Sequence, residues 1–270
     1  MPVRDVDLDD YGAERGLFRT EEADRRNNAT WDGSLRRNLD FLRLKDCALH
    51  LVSPRPGLTV LDLGCANGAQ MVMLGLQGAE VHGLDMDSGA VDDANRKLEK
   101  LGIDGRARTG DASQLPFDDD TFDVVLSSDF HEHFDDAMAV AINAETYRVL
   151  KPGGRVVVKT PNLRYLRASL AYKRVRGAMR RFDPRSFVIP HTPGTDDPQH
   201  LGLRTRWDLA RTLDAAGFAS LKFFYEPLRR FGFKPAMDVL STEIPVVRDV
   251  LSEDLFCVAY KPIHTAWFPE

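Results

Sequence analysis

Short β-branched runs alternate with longer helical patterns through the middle of this chain, and this alternation limits the possible folds more than any other feature. Strands are predicted at residues 58–63, 80–84, 107–109, 122–127 and 155–160. Helices are predicted at about 69–76, 88–101 and 137–150. The last of these helices is stopped by the turn Lys151-Pro152-Gly153-Gly154. Alternating strands and helices are typical of a parallel sheet with crossover helices.

The remaining elements complete a prediction of fold class and domains. A helix at 207–216 and two closing strands at 221–225 and 255–260 follow the alternating part. The sequence thus predicts an α/β fold with a doubly wound, mostly parallel seven-stranded sheet and helical cap elements. Residues 57–262 form the main domain, with a basic lid insertion at 163–200 and a cap insertion at 226–252. Residues 1–56 form an N-terminal helical cap, with an amphipathic helix at about 34–52, and 263–270 form a tail.

Composition and cysteine usage favour an ordinary globular protein of a reducing compartment. The chain has 270 residues, of which 43% are hydrophobic and 29% are charged, which is enough for a sizeable core. No apolar run approaches the roughly 20 residues that span a bilayer. The acidic start MPVRDVDLDD has no apolar core, so we expect no signal peptide. Three scattered cysteines make no disulfide framework, and we expect the protein to be cytoplasmic.

Charge is concentrated in one segment. The chain as a whole carries −5, but residues 163–185 carry eight basic side chains against the single acid Asp183. That segment is therefore +7, which leaves −12 on the rest. An acidic body with one basic patch argues against general nucleic-acid binding.

The strongest local motif is VLDLGCANGAQ, residues 60–70. A predicted strand delivers the acid Asp62, and Gly64 and Gly68 then flank a tight turn, containing Cys65 and Ala66, that leads into a helix. The glycines allow close backbone approach, the helix start favours a carboxylate, and Asp62 attracts an ammonium, so an amino-acid-like zwitterion fits. A nicotinamide site would need Gly-x-Gly-x-x-Gly. Here Ala66 fills the second glycine slot and Gly68 comes one place early, which disfavours that alternative.

Acids also follow the next two strands. Asp85 ends the second strand about twenty residues after the turn, where a carboxylate can accept both ribose hydroxyls of an adenosine. Met86 offers a polarizable side chain that can cover an adenine face. Asp111 follows the third strand and can accept the exocyclic amine of adenine. Solvated loop acids are common, but three of them after three successive strands are improbable by chance.

The runs VLDLGCANG, GLDMD, GDASQLPFDDDTFDVVLSSDFHEHF and RVLKPGGRVVVKTPN resemble class I S-adenosylmethionine-dependent methyltransferases over about residues 58–162. The resemblance implies a Rossmann-like fold and an enzyme that uses S-adenosylmethionine. It implies that Gly64 and Gly68 contact the methionine portion, Asp85 the ribose and Asp111 the adenine amine. Ala112 would contribute its backbone, and Ser127 or Ser128 would line the sulfonium side. The family often has glycine where this chain has Ala66, which we expect to be tolerated at a negative φ.

The run Asp129-Phe130-His131-Glu132-His133 is open to three interpretations. The pair Glu132-His133 either braces the following helix or supplies His133 as a general base, with His200 as a second catalytic candidate. The third is a divalent metal site, because the run is similar to ubiquinone-biosynthesis O-methyltransferases and small-RNA 3′-end methyltransferases. That similarity implies Asp129, Glu132 and His133 as ligands, with His200 or His191 as the later one. Mixed carboxylate and imidazole ligands suit magnesium or manganese, but we do not favour a metal here.

The basic insertion at 163–200 interleaves leucine, tyrosine and valine with its arginines, so a helix there has an apolar and a basic side. It either covers the site as a lid or meets anionic headgroups or a phosphorylated acceptor. Ubiquinone-pathway O-methyltransferases resemble this chain in carrying an insertion at the same place. The sequence predicts methyl transfer to a small-molecule acceptor, which we expect to be a hydroxyl. A cofactor-binding regulatory module, an N-methyltransferase and a nucleotide-dependent oxidoreductase remain as alternatives.

Overall fold

A computed structural model describes residues 47–195, 198–225 and 242–263. Of the N-terminal helix predicted at 34–52, residues 47–52 are helical, and the remainder lies outside the described residues. The same holds for most of the C-terminal tail and for 226–241 of the predicted cap insertion. The chain divides into two compact units, Met1–Ala112 and Ser113–Glu270.

Besides the helical residues 47–52, the described part of the first unit contains three parallel strands and two helices. Strand β1 (Thr59–Leu63) pairs with β2 (Glu80–Asp85), and β2 pairs with β3 (Gly105–Thr109). Helix α1 (Ala69–Gly75) follows β1, and α2 (Ser88–Leu101) follows β2. The Asp87 carboxylate caps α2 by accepting from the backbone N–H groups of Gly89 and Ala90, and Gly102, with φ 62°, ends that helix. The helix and strand order of this unit follows the prediction.

The second unit contains the other four strands. Strands β4 (Phe122–Ser128) and β5 (Leu150–Pro161) are parallel, and β7 (Asp254–Tyr260) pairs antiparallel with both β5 and β6 (Ala219–Tyr225). Its helices are α3 (Asp136–Val149), α4 (Leu163–Met179), α5 (Arg206–Ala215) and α6 (Pro245–Leu251). The strand order β3-β2-β1-β4-β5-β7-β6 confirms the predicted seven-stranded, mostly parallel sheet.

One predicted boundary is wrong. The stretch Lys151-Pro152-Gly153-Gly154 was expected to separate α3 from a strand that begins at residue 155, but it lies within β5. The ladder with β4 shifts register here, and Gly153 has φ 80°. A Cβ on Gly154 would lie 2.8 Å from the Lys151 carbonyl oxygen and 3.0 Å from that of Asp123. The glycines therefore form a bulge inside the strand.

Among the described residues, no helix has the length and apolar character needed to cross a bilayer.

Gly68 lies where the turn after β1 meets α2. Its φ is 79°, and a Cβ built on it would lie 2.7 Å from the Ala94 Cβ. Gly57 has a similar φ of 82° but has nothing within 4 Å of such a Cβ. Alanine substitution at the two positions therefore distinguishes the cost of backbone strain, which arises at both, from that of a steric clash, which arises only at Gly68.

We expect Gly57→Ala to lower the free energy of unfolding by about 1–2 kcal/mol, the cost of a left-handed residue with a side chain. Gly68→Ala should cost a further 1–3 kcal/mol or so, because overpacking adds to the same strain. Chemical denaturation measures both. Adding Ala94→Gly to Gly68→Ala should recover part of the extra cost, and equal costs for the two single substitutions would contradict the packing account.

Candidate functional site

The turn between β1 and α1 is built from residues with left-handed backbone angles. Gly64 has φ 70° and Gly68 has φ 79°. Ala66 was expected at a negative φ, and that expectation is wrong, because its φ is 44°. A left-handed alanine is strained, so the surrounding structure must hold it there.

The Asp85 carboxylate holds this turn. Its Oδ2 accepts a hydrogen bond from the backbone N–H of Ala66 at 2.8 Å, and its Oδ1 accepts from that of Asp87 at 3.0 Å. A carboxylate offers about four lone-pair positions, so within the described residues two acceptor positions remain. The structure thus brings the glycine turn and the acid of the second strand together, with capacity left for two ribose hydroxyls.

The other predicted residues of this unit lie at the same edge of the sheet or close to it. Asp62 is buried in β1, whereas Asp85 is the last residue of β2. The Gly110 N–H donates to the backbone carbonyl of Asp85 at 3.0 Å, which places exposed Asp111 beside the end of β2. Met86 is 74% exposed, as a residue that covers a flat ligand would be. Ala112 is buried.

A buried lysine braces the turn, and the sequence analysis missed it. Lys97 of α2 donates from its Nζ to the backbone carbonyl of Asn67 at 2.8 Å. Burial lowers the pKa of Lys97 to about 8. Its position among the inward-facing residues Ala90, Ala94 and Leu98 was the available signal.

Cys65 lies in the same turn, and its thiol is unreactive. Its side chain is buried, and desolvation, with Asp62 and Asp85 nearby, raises the pKa of the thiol far above its usual range. The thiol therefore stays protonated and packs as an apolar group.

In the second unit, a buried chain of hydrogen-bonded side chains starts at the end of β4. The Ser127 hydroxyl lies 2.8 Å from His131 Nδ1, and His131 Nε2 lies 2.9 Å from the Asn143 side-chain oxygen. Since that oxygen only accepts, His131 carries its proton on Nε2 and accepts from Ser127 on Nδ1. Burial lowers the pKa of His131 to about 4, so the ring stays neutral at pH 7. The adjacent Ser128 is half-buried.

A carboxylate and two imidazoles converge beside this chain. One ligand atom each from Glu132, His133 and His200 lies within 4.8 Å of the others. His133 Nδ1 is 3.0 Å from the Gln199 carbonyl oxygen, so it carries the proton and leaves Nε2 with a lone pair. The His200 ring lies between those of His133 and His191, at centroid distances of 5.4 and 5.3 Å. Burial, and secondly Asp129, raises the pKa of Glu132 to about 7.

The fourth predicted metal ligand is engaged elsewhere. Asp129 Oδ1 is paired with the Lys159 ammonium, which also lies 3.8 Å from Asp254. The structure therefore brings together three of the four suggested ligands and selects His200 over His191. Two imidazoles and one carboxylate fit a divalent metal by donor type.

Arg204 positions this cluster and was not foreseen. The side chain is fully buried, and its Nη1 donates to the carbonyl oxygens of His131 and Gly202 at 2.7 and 2.8 Å. Its Nη2 donates to the Phe134 carbonyl at 2.9 Å. The Gly202 N–H donates to the Glu132 carbonyl at 2.9 Å. These bonds tie the segment that carries His200 to the 3₁₀ turn His131–His133.

Comparisons with known proteins agree with the geometry. Residues 60–154 match a family model described as a methyltransferase domain. A demethylmenaquinone methyltransferase of Beutenbergia cavernae is 34% identical over 158 residues, which is 58% of this chain and 61% of that protein. The demethylmenaquinone methyltransferase of Thermus thermophilus is 38% identical over 130 residues, 46% of this chain and 58% of that one. The chain thus spans about three fifths of the length of these curated relatives.

Solved structures share the fold. An S-adenosylmethionine-dependent methyltransferase from Archaeoglobus fulgidus superposes with a TM-score of 0.57 over 81% of this chain and 93% of that one, at 19% identity. Residues 60–154 therefore match a methyltransferase domain, and the chain has the seven-stranded class I methyltransferase fold of these solved structures.

Proposed function

We propose that this protein transfers a methyl group from S-adenosylmethionine to a hydroxyl of a small-molecule acceptor. The observation that carries the proposal is the Asp85 carboxylate, fixed on the left-handed turn by the Ala66 N–H at 2.8 Å. A turn with close backbone approach and a carboxylate with two unused acceptor positions suits an adenosyl amino acid.

Each predicted residue of the first unit has a role in this proposal. The turn residues Gly64, Cys65, Ala66 and Gly68 contact the methionine portion through their backbone, and Asp62 attracts its ammonium. Asp85 accepts the ribose hydroxyls. Met86 covers the adenine, Asp111 accepts a hydrogen bond from the adenine amine, and the backbone of Ala112 contacts the ring. That Ser127 or Ser128 lines the sulfonium remains a prediction from the family resemblance.

Replacing Asp85 with asparagine should weaken the binding of S-adenosylhomocysteine about 10- to 100-fold, because a charged acceptor is lost. Calorimetric titration measures the affinity, and the exposed acid Asp92 of α2 supplies the matched control Asp92→Asn. NAD should not bind the wild-type protein. Tight NAD binding without S-adenosylhomocysteine binding would favour an oxidoreductase and contradict the proposal.

His133 is our candidate for the base that removes the acceptor proton. The bound sulfonium supplies an already activated methyl group, so the protein's task is to position the acceptor and take its proton. His133 Nε2 carries the lone pair, and His200 lies beside it as the second catalytic candidate. The same three groups also fit a divalent cation, which is the second candidate role for this cluster.

His133→Asn should lower the rate by about 10²- to 10⁴-fold and leave S-adenosylhomocysteine affinity unchanged. The rate is measured as the release of S-adenosylhomocysteine, with an acceptor selected from a panel of phenols, alcohols and amines. Prolonged dialysis against a chelator should leave the wild-type rate unchanged. A loss restored by magnesium or manganese would assign the cluster to a metal, and tight cofactor binding without release across the panel would favour a regulatory module.

The outer half of α4 suggests where the methyl acceptor is located. This helix turns one side toward the protein, where buried Gly177 meets the Phe187 ring and Arg174 donates to the Phe187 carbonyl at 3.1 and 3.2 Å. The opposite side carries Tyr172, Val175 and Met179, which are 53%, 63% and 81% exposed.

Basic side chains flank this apolar stripe. At 100° per residue, Lys173, Arg176 and Arg180 lie on one side of it. An outward apolar stripe with a basic flank is the pattern of a helix that lies on an anionic membrane surface. We propose that α4 makes such a contact, which would bring the site to a lipid-linked acceptor.

Phosphatidylglycerol vesicles should bind the protein, and phosphatidylcholine vesicles should not, in a sedimentation assay. Binding should fall as salt is raised, because the Debye length shortens. The double substitution of Val175 and Met179 by serine, and that of Arg176 and Arg180 by glutamine, should each weaken binding. The matched control replaces the exposed Arg106 and Arg108 of β3 by glutamine. Equal, poor binding to both vesicle types would refute the membrane contact.

A further inference from the structure

Three arginines and two aromatic rings form a cluster at the starts of α4 and α5. The guanidinium carbon of Arg206 lies 4.3 Å from the centroid of the Trp207 ring, and that of Arg164 lies 5.0 Å from it. Arg248 lies 4.9 Å from the ring of Tyr225. Stacking of this kind fixes guanidinium planes in place. We refer to Arg164, Arg206 and Arg248, with Trp207 and Tyr225, as the arginine cluster.

One carboxylate accompanies these three cations among the described residues. Asp249 Oδ1 lies 3.5 Å from Arg206 Nε, and Asp249 Oδ2 lies 3.8 Å from Arg164 Nη1. Both distances exceed those of strong charge-assisted hydrogen bonds. The shortest bond to Asp249 comes instead from the Tyr225 hydroxyl, at 2.7 Å. The described part of the cluster therefore carries two positive charges in excess.

Two helix starts add to this positive potential. The Leu163 N–H donates to the Arg204 carbonyl at 3.1 Å, and Asn162 forms a parallel bridge with Arg204, so α4 and α5 begin side by side. Arg164 and Arg206 lie in the first turns of these helices. Both starts are capped, α4 by the Asn162 side chain and α5 by the Thr205–Asp208 capping box. The helix dipoles add positive potential to that of the two arginines.

Two of the guanidinium groups are partly accessible. The side chains of Arg164 and Arg206 are 39% and 27% exposed, and Trp207 is 48% exposed. Arg248 Nε is buried without a hydrogen-bond partner in the described part of the chain. Asp249 pairs with Arg164 and Arg206 only at 3.8 and 3.5 Å, so their guanidinium groups can also donate to an anion.

We propose that the arginine cluster binds a phosphate group. Two excess positive charges match a dianion, and planar guanidinium forks donate in pairs to phosphate oxygens. The segment 200–206 links this cluster to His200, and six extended residues span at most about 20 Å. The cluster is therefore placed to hold the phosphate of an acceptor whose hydroxyl reaches the histidines. Only this last link rests on the proposed methyl transfer.

Titration of the full-length protein with inorganic pyrophosphate tests the site without any acceptor. We expect saturable binding by calorimetry at low salt, and a change in tryptophan emission that disappears in Trp207→Phe. Arg206→Gln and Arg164→Gln should each weaken binding about tenfold or more. The matched control is Arg211→Gln, since Arg211 is also on α5 but is 64% exposed and pairs with Asp136 at 3.0 Å. The melting temperature of each variant reports on folding.

Unchanged pyrophosphate affinity in both folded variants, or equal loss in Arg211→Gln, would overturn the proposal. Should one cluster variant fail to fold, the other decides the outcome. A second arm compares pyrophosphate with phosphatidic acid vesicles to separate a free phosphorylated acceptor from a lipid headgroup. S-adenosylhomocysteine affinity is measured alongside, so that loss of the arginine cluster and failure of the cofactor site are told apart.

Discussion

The hydrogen bond from the Ala66 N–H to Asp85 Oδ2 is the interaction on which the glycine turn of the first unit depends. It holds a left-handed alanine in the turn after the first strand and fixes the carboxylate of the second strand on that turn. Close packing of Gly68 on Ala94 and the Lys97 bond to the Asn67 carbonyl support the same turn from α2. Backbone strain at Ala66 is thus maintained by contacts from both β2 and α2.

The second unit provides groups that differ sharply in protonation behaviour within a short segment. His131 is held neutral by burial, while burial raises the pKa of neighbouring Glu132 to about 7. His133 presents a lone pair because its other nitrogen donates to a backbone carbonyl. Arg204 maintains this arrangement by binding the carbonyls of the 3₁₀ turn from the segment that carries His200. The arrangement of these groups therefore follows from backbone contacts rather than from an isolated residue.

Much of this was predictable from sequence because it depends on local chemistry. Strands β1 and β2, the turn glycines and α2 follow from apolar periodicity and backbone preference. The β5 bulge and the φ of Ala66 did not follow, because strand register and a bond across nineteen residues decide them. Lys97, Arg204 and the arginine cluster were missed for the same reason. Their roles come from partners that are distant in sequence, and their residue types alone predict that they lie at the surface.

We propose that the turn at Gly64–Gly68 and the acid Asp85 bind an adenosyl amino acid. A crystal structure of the protein with S-adenosylhomocysteine is the most direct test. We expect both ribose hydroxyls within hydrogen-bond distance of the Asp85 carboxylate, at about 2.6–3.0 Å. A nucleoside bound elsewhere, with Asp85 facing only solvent, would contradict it.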